Sequence, residues 1–245
     1  MQFTSRQAEL GELVLDKLTH FFSDNDLSDC ALSYSGGLDS TILLALSPKS
    51  VRPYTLGDSG SRDYANSILG SDALDFKVTH FDLSRLDIDK YLSIIKEIDP
   101  DISRADIGYE LVLAVILDLV PESRIMTGQG ADELFYGYHR FIEDPEMSNE
   151  WHLRKLENET LRREKAIADH FGKQLVTPYL DAGLVGILSE VSRDDHFAEG
   201  YNKAILRYTG IKIGLPESVY TVRKTAAQYG SGMMKKLRTT SQWNP

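Results

Sequence analysis

The chain has 245 residues and a formal net charge of −10, with 42% hydrophobic and 26% charged residues. These values suit one globular core of ordinary composition, and the acidic balance argues against nucleic acid as the main partner. A single cysteine, Cys30, excludes an internal disulfide and a cysteine-rich metal site. No apolar run approaches the roughly 20 residues that span a bilayer, and the N-terminus lacks the apolar core of a signal peptide. A cytoplasmic protein with no membrane partner is therefore expected.

Taken in order, residues 5–22 place Leu10, Leu13, Val14, Leu15, Leu18, Phe21 and Phe22 at helical spacing, which predicts an amphipathic helix. Residues 31–33 read as the end of a short buried strand carrying Cys30 as packing. Next come Ser35-Gly36-Gly37-Leu38-Asp39-Ser40 and an apolar run over 41–46. Paired glycines between a strand and a helix allow a tight turn that presents bare N–H groups, and the helix points its positive end into the same space. Ser35 and Ser40 add hydroxyls, and Asp39 adds a carboxylate suited to Mg²⁺. The stretch is a cradle for a phosphate chain. It is neither a Walker A loop nor a dinucleotide fingerprint, since the required lysine and glycine spacing are missing.

Further strands are predicted over 51–56, 76–83 and 124–127, alternating with helices over 61–69, 86–98 and 107–120. Strands alternating with helices imply a parallel sheet, with ligands at the carboxyl ends of its strands. After the fourth strand, Thr127-Gly128-Gln129-Gly130-Ala131-Asp132-Glu133-Leu134 repeats the first loop's logic of strand, glycine turn and acid. Asp132 is thus expected near Asp39, where two carboxylates can share Mg²⁺ with polyphosphate. Residues 143–170 predict helix with a large wet face. Residues 201–245 carry eight Lys or Arg against one acid, Glu217, so +7 sits on this segment and −17 on the remainder. Such an arm can fold over polyphosphate.

These motifs carry a family resemblance. Residues 35–40 resemble the PP-loop of the N-type ATP pyrophosphatases, and residues 127–138 resemble the TGEGADELFGGY segment of the asparagine synthetase synthase domain. Residues 159–163 and Thr177-Pro178-Tyr179-Leu180-Asp181 resemble that family's arginine run and RVPFLD segment. Lys203-Ala204-Ile205-Leu206-Arg207, the Leu215-Pro216 pair, and Arg223-Lys224 followed by residues 228–232 resemble its later blocks. The resemblance implies an α/β fold with a Rossmann-like parallel sheet of the adenine nucleotide alpha hydrolase type. Residues 1–140 form the ATP-binding unit in this reading. Residues 141–245 form a helical lobe and basic arm that complete the active site.

Carried over residue by residue, the resemblance places phosphate contacts on Ser35, Gly36, Gly37, Asp39 and Ser40, and Mg²⁺ ligands on Asp39 and Asp132. Thr127 and Gly128 match backbone beside adenosine, Leu38 and Leu56 an adenine pocket, and Lys203 a further ATP contact. Lys224 matches a lysine that stabilises charge on the phosphates, whereas Arg223 is expected to face elsewhere. The implied activity is an ATP-dependent ligase that adenylates a small carboxylate, aspartate by default, and releases AMP and pyrophosphate. Two departures qualify it. About 30 residues precede the PP-loop and Gln2 follows Met1, so no glutaminase domain is expected. Nitrogen then comes from ammonia, a separate glutaminase subunit or an amine on the substrate, and a homodimer is a further expectation. Gln129 stands where the family has a glutamate assigned to acid–base work, which an amide cannot perform. A β-lactam synthetase-like substrate or a non-catalytic nucleotide-binding subunit are the alternatives.

Overall fold

The computed structural model describes residues 1–240 and Trp243. Its first half runs α1 (Ser5–Asp24), β1 (Cys30–Ser33), α2 (Leu38–Leu46), β2 (Arg52–Leu56), α3 (Arg62–Leu74), β3 (Thr79–Phe81), α4 (Asp89–Ile98), α5 (Arg104–Leu119), β4 (Arg124–Met126) and α6 (Ala131–Leu134). The second half continues with α7 (Arg140–Glu143), α8 (Glu150–Lys155), α9 (Leu161–His170), β5 (Gln174–Val176), α10 (Ala182–Leu188), α11 (Ala204–Lys212), α12 (Glu217–Tyr220), α13 (Ala227–Gly230) and α14 (Met233–Leu237). The five strands form one all-parallel sheet in the order β3-β2-β1-β4-β5. This is the Rossmann-like architecture expected.

Strand alternation sorts the core onto two faces. Cys30 and Leu32 of β1 and Met126 of β4 join one cluster with α1, α2 and α11. Ala31, Ile125, Tyr54 and Leu56 join the other with α4, α5 and α9. Cys30 is fully buried, and that burial pushes its thiol up to about 11, so it packs and does not react. Thr4 and Gln7 form a reciprocal capping box that starts α1. That helix lies close against α11, where a side chain on Gly11 would meet the Tyr208 ring at 2.4 Å.

The fifth strand was not expected, and it draws residues beyond 140 into the sheet that residues 1–140 were to form alone. Three residues, half-exposed at one edge, give too short a pattern to read. The third strand also shortens to Thr79–Phe81, because Asp82 caps a 3-10 turn through Ser84. Helix α8 passes through a π turn at Leu156–Thr160 into α9, which is less wet than its charge suggested. Arg163 and Glu164 on that helix are buried. Arg163 donates to Glu110 Oε1 at 2.7 Å, Asp99 Oδ2 at 2.9 Å and the Tyr109 hydroxyl at 3.1 Å, riveting α9 to α4 and α5.

Glu110 is completely buried and its Oε2 has no hydrogen-bond partner. Arg163→Met therefore strands a carboxylate inside the protein, and urea unfolding at pH 7 should show a loss of about 3–5 kcal/mol. Arg163→Met combined with Glu110→Leu should recover a substantial part of that loss.

Candidate active site

The sheet order changes direction between β1 and β4. The chain leaves β1 for β2 and β3 on one side, then returns to lay β4 on the other. Leu32 pairs with Met126 across this seam, so the two glycine turns leave neighbouring strand ends into one crevice. Crevices of this kind, outside the carboxyl ends of parallel strands, are where such sheets bind ligands.

Gly36 takes a φ of +68°, and a Cβ there would lie 2.3 Å from the Asn66 carbonyl carbon, so only glycine lets this loop press against α3. Ser35 Oγ accepts from Gly37 N–H and lies 3.2 Å from Ser40 Oγ, while Ser40 Oγ donates to Gly37 O, which fixes the loop from within. Gly130, at φ +89°, turns the second loop into α6 under the Leu180 side chain. Gly128 brings this loop against Asp39, with a Cβ position 3.5 Å from the Asp39 Cβ.

Four charges meet here. Lys203 Nζ lies 2.7 and 2.6 Å from the two carboxylate oxygens of Asp39 and 2.6 Å from Asp132 Oδ1. Lys224 Nζ lies 2.5 Å from Asp132 Oδ2. Burial opposes ionisation of Asp132, but Lys203 and Lys224 outweigh it and hold the carboxyl well below the usual range. Burial likewise works against the charge of Lys224, and the carboxylates of Asp132 and Asp39 overcome it, raising the amine.

The donor set fits a divalent cation. Asp39 and Asp132 converge on one position, the point that Lys203 Nζ takes in this structure. No cluster of three or more metal-ligating side chains occurs among the described residues. Two carboxylates completed by phosphate and water are how Mg²⁺ is commonly held.

Lys203 and Lys224 arrive on separate segments tied by Arg207, whose Nε donates to Asn202 O at 2.7 Å and whose NH1 donates to the carbonyls of Tyr220 and Val222. Asn202 in turn donates to Gly137 O at 2.5 Å. Arg207 sits one helical turn beyond Lys203, and that i, i+4 spacing in the Lys203–Arg207 motif was the available signal for its role. Tyr179 donates to Asp39 O at 2.9 Å, and Asp181 caps α10, so residues 177–181 act as a brace under the site.

Ser35, Gly37, Leu38, Asp39, Lys203 and Lys224 line one cavity with Asp63, Asn66, Asn202, Arg207 and Arg223. The space in which a water molecule can centre there is only about 40 Å³. Thr127, Gly128 and Gln129 are half-buried on the second loop, which Gly128 brings against Asp39. Leu56, matched to an adenine pocket, does not line this cavity and is buried in the core beneath α5. One expectation changes. Arg223 lines the cavity and faces the Tyr201 ring at 5.8 Å, because the irregular backbone after α12 presents neighbouring side chains to the same crevice. The end of the basic arm, residues 241, 242, 244 and 245, lies outside the described residues. A larger hollow of about 570 Å³ opens between α4, α5 and α9, where Arg163, Asp106 and Lys155 are paired with one another.

Asp63 had no motif to mark it. It stands in the first turn of α3, buried, with its carboxylate against Gly230, where a Cβ would come within 2.1 Å of Oδ1. Burial pushes Asp63 up to about 7, opposed by Lys224 and Arg62. A carboxyl raised in the folded state holds its proton more tightly there than when unfolded. Its contribution is thus complete below about pH 4 and is lost as pH rises through 7. Asp63→Asn should remove this slope, gaining on the order of a few kcal/mol relative to the parent between pH 4 and pH 8 in urea unfolding.

No helix among the described residues is long and apolar enough to cross a membrane. A Methanocaldococcus jannaschii protein named "Putative asparagine synthetase (glutamine-hydrolyzing) 1" is 24% identical over 247 aligned positions. The alignment covers 83% of this chain and 46% of that relative, so the chain spans less than half the relative's length. The family model described as asparagine synthase matches residues 29–175. That match runs from the entry of β1 through both glycine turns to β5, and on it the chain belongs to the asparagine synthase family.

Proposed function

We propose that this chain is an ATP-dependent carbon–nitrogen ligase that works through an acyl-adenylate. The observation that carries the reading is the group of Asp39, Asp132, Lys203 and Lys224, held within ion-pair distance at the carboxyl edge of a parallel sheet. In this reading the phosphate chain lies along Ser35 to Ser40, between the positive end of α2 and the two lysines. Asp39 and Asp132 hold Mg²⁺, which supplies charge neutralisation on the phosphate oxygens.

A substrate carboxylate oxygen attacks the α-phosphorus, and the bond to the bridging oxygen of pyrophosphate breaks. Lys224 faces the negative charge that develops as pyrophosphate departs. An amine then attacks the acyl carbon, AMP leaves with the bonding electron pair, and the amine proton passes to solvent or a nearby base. Gln129 sits beside this acyl position and cannot take that proton. Aspartate with free ammonia, or ammonia from a partner glutaminase, remains the first pair to test. Gln129 favours a second reading within the same chemistry, in which a different carboxylate or an amine of the substrate itself reacts.

Pyrophosphate release with Mg²⁺·ATP, screened over carboxylates and amines, tests the reading; no release with any pair would refute it. Lys224→Met should lower kcat for pyrophosphate release by roughly 10²–10³ while Mg²⁺·ATP binding changes little. Gln129→Glu should leave nucleotide affinity nearly unchanged and shift which carboxylate or amine is used. A variant that instead loses ATP places residue 129 against the phosphates.

A further inference from the structure

Lys203 is 2% exposed and stands at the N-cap of α11 with φ +56°, a left-handed conformation unfavourable for a residue that carries a Cβ. Its carbonyl starts α11 by accepting from Arg207 N–H at 2.9 Å. The stem passes so close to Gly137 that a Cβ on that residue would lie 2.2 Å from Lys203 Cε. These constraints bring Nζ to the point where Asp39 and Asp132 converge, with three carboxylate oxygens within 2.7 Å of the nitrogen. A surface lysine pairs loosely with one acid. This one fills the position that a cation shared by both acids would take.

We propose that Lys203 is an internal counter-ion in the divalent-metal position, and that it makes the site accept metal only together with a polyanion such as a nucleoside polyphosphate. The inference rests on the nucleotide-binding half of the ligase reading and defines the form of ligand the site takes. The charge count explains why. Asp39 and Asp132 are balanced by Lys203 and Lys224, so the site is neutral as it stands. A bare divalent ion must expel the Lys203 ammonium into a cavity lined by Arg207, Arg223 and Lys224, where the further carboxyl, Asp63, is already faced by Lys224 and Arg62. Charge left unpaired in so enclosed a space is strongly unfavourable. A metal–polyphosphate complex brings the missing anion, and the flexible stem can move its ammonium from the carboxylates onto phosphate oxygens. Lys203 thus keeps the two carboxylates in register before the ligand arrives and changes partners when it does.

Manganese titration followed by electron paramagnetic resonance tests this without any turnover. The parent protein should show no specific Mn²⁺ site on its own and one per chain with a non-hydrolysable ATP analogue. Lys203→Met and Lys203→Gln should each bind one Mn²⁺ without nucleotide, at least about tenfold more tightly than the parent. Adding Asp39→Asn should abolish that gain. Lys203→Arg, which keeps the charge, should remain closed to bare Mn²⁺. A parent protein that takes one Mn²⁺ per chain at this site without nucleotide overturns the proposal, whichever variants fold. So does the absence of a gain in folded Met and Gln variants, with folding checked by circular dichroism and thermal unfolding. Pyrophosphate release does not enter these measurements. A chain with this metal behaviour and no ligase activity would refute the ligase reading and leave this inference standing.

Discussion

Two carboxylates placed a few ångströms apart inside a protein repel each other, and neither can stay ionised without a cation nearby. Everything around the β1–β4 seam of this molecule answers that constraint. Asp39 comes from the start of α2 and Asp132 from the start of α6, brought together because their strands are neighbours. Their counter-charges come from more than 60 residues further along the chain, on Lys203 and Lys224. The N-terminal and C-terminal parts are therefore joined by electrostatics at the same point where the sheet offers a ligand crevice.

The supporting structure can be read as what holds those ammonium groups in place. Helix α1 packs closely on α11, with Thr209 Oγ1 donating to Gly11 O at 3.1 Å, which seats the helix that Lys203 begins. Arg207 spends its guanidinium on the carbonyls of Asn202, Tyr220 and Val222, so the segments bearing Lys203 and Lys224 share one anchor. On the other side, Arg62 reaches Thr225 Oγ1 at 2.5 Å, and Asp63 abuts Gly230. The first turn of α3 thus bounds the strap that carries Lys224. A buried arginine that donates to backbone carbonyls and to the Asn202 amide oxygen fixes geometry without pairing with a carboxylate, so the tetrad keeps its own charge balance.

A second buried charge group, around Arg163 and Glu110, lies on the opposite face of the sheet and has a different character. Its ions are paired within α4, α5 and α9, and burial pushes Glu110 up to about 7 in spite of Arg163. Pairs of this kind hold helices in one arrangement rather than adding much net stability. The two groups show the same residue types used once at a ligand crevice and once at a joint between helices. What separates them is their place: the first lies where two glycine turns leave neighbouring strand ends, the second between helices that pack on the sheet.

The sequence by itself determined the parallel sheet, the two glycine turns and the pairing of Asp39 with Asp132. Strand, turn and helix signals are local, and neighbouring turns after parallel strands must open on one edge. Family motifs also pointed to Lys203 and Lys224 as functional. Only the tertiary structure decided how those lysines are used, since the separation between Asp39 and Lys203 along the chain gives no hint that one ammonium bridges both acids. It also decided that Leu56 faces the core, because the face a strand side chain takes depends on which helices cover that side. Asp63, Arg207 and Arg223 became visible for the same reason. Their importance lies in what they meet across the fold, and a residue's partners from distant segments are set by packing rather than by its neighbours in sequence. β5 escaped because three edge residues carry too little periodicity to be read, and its place follows from its hydrogen bonds to β4.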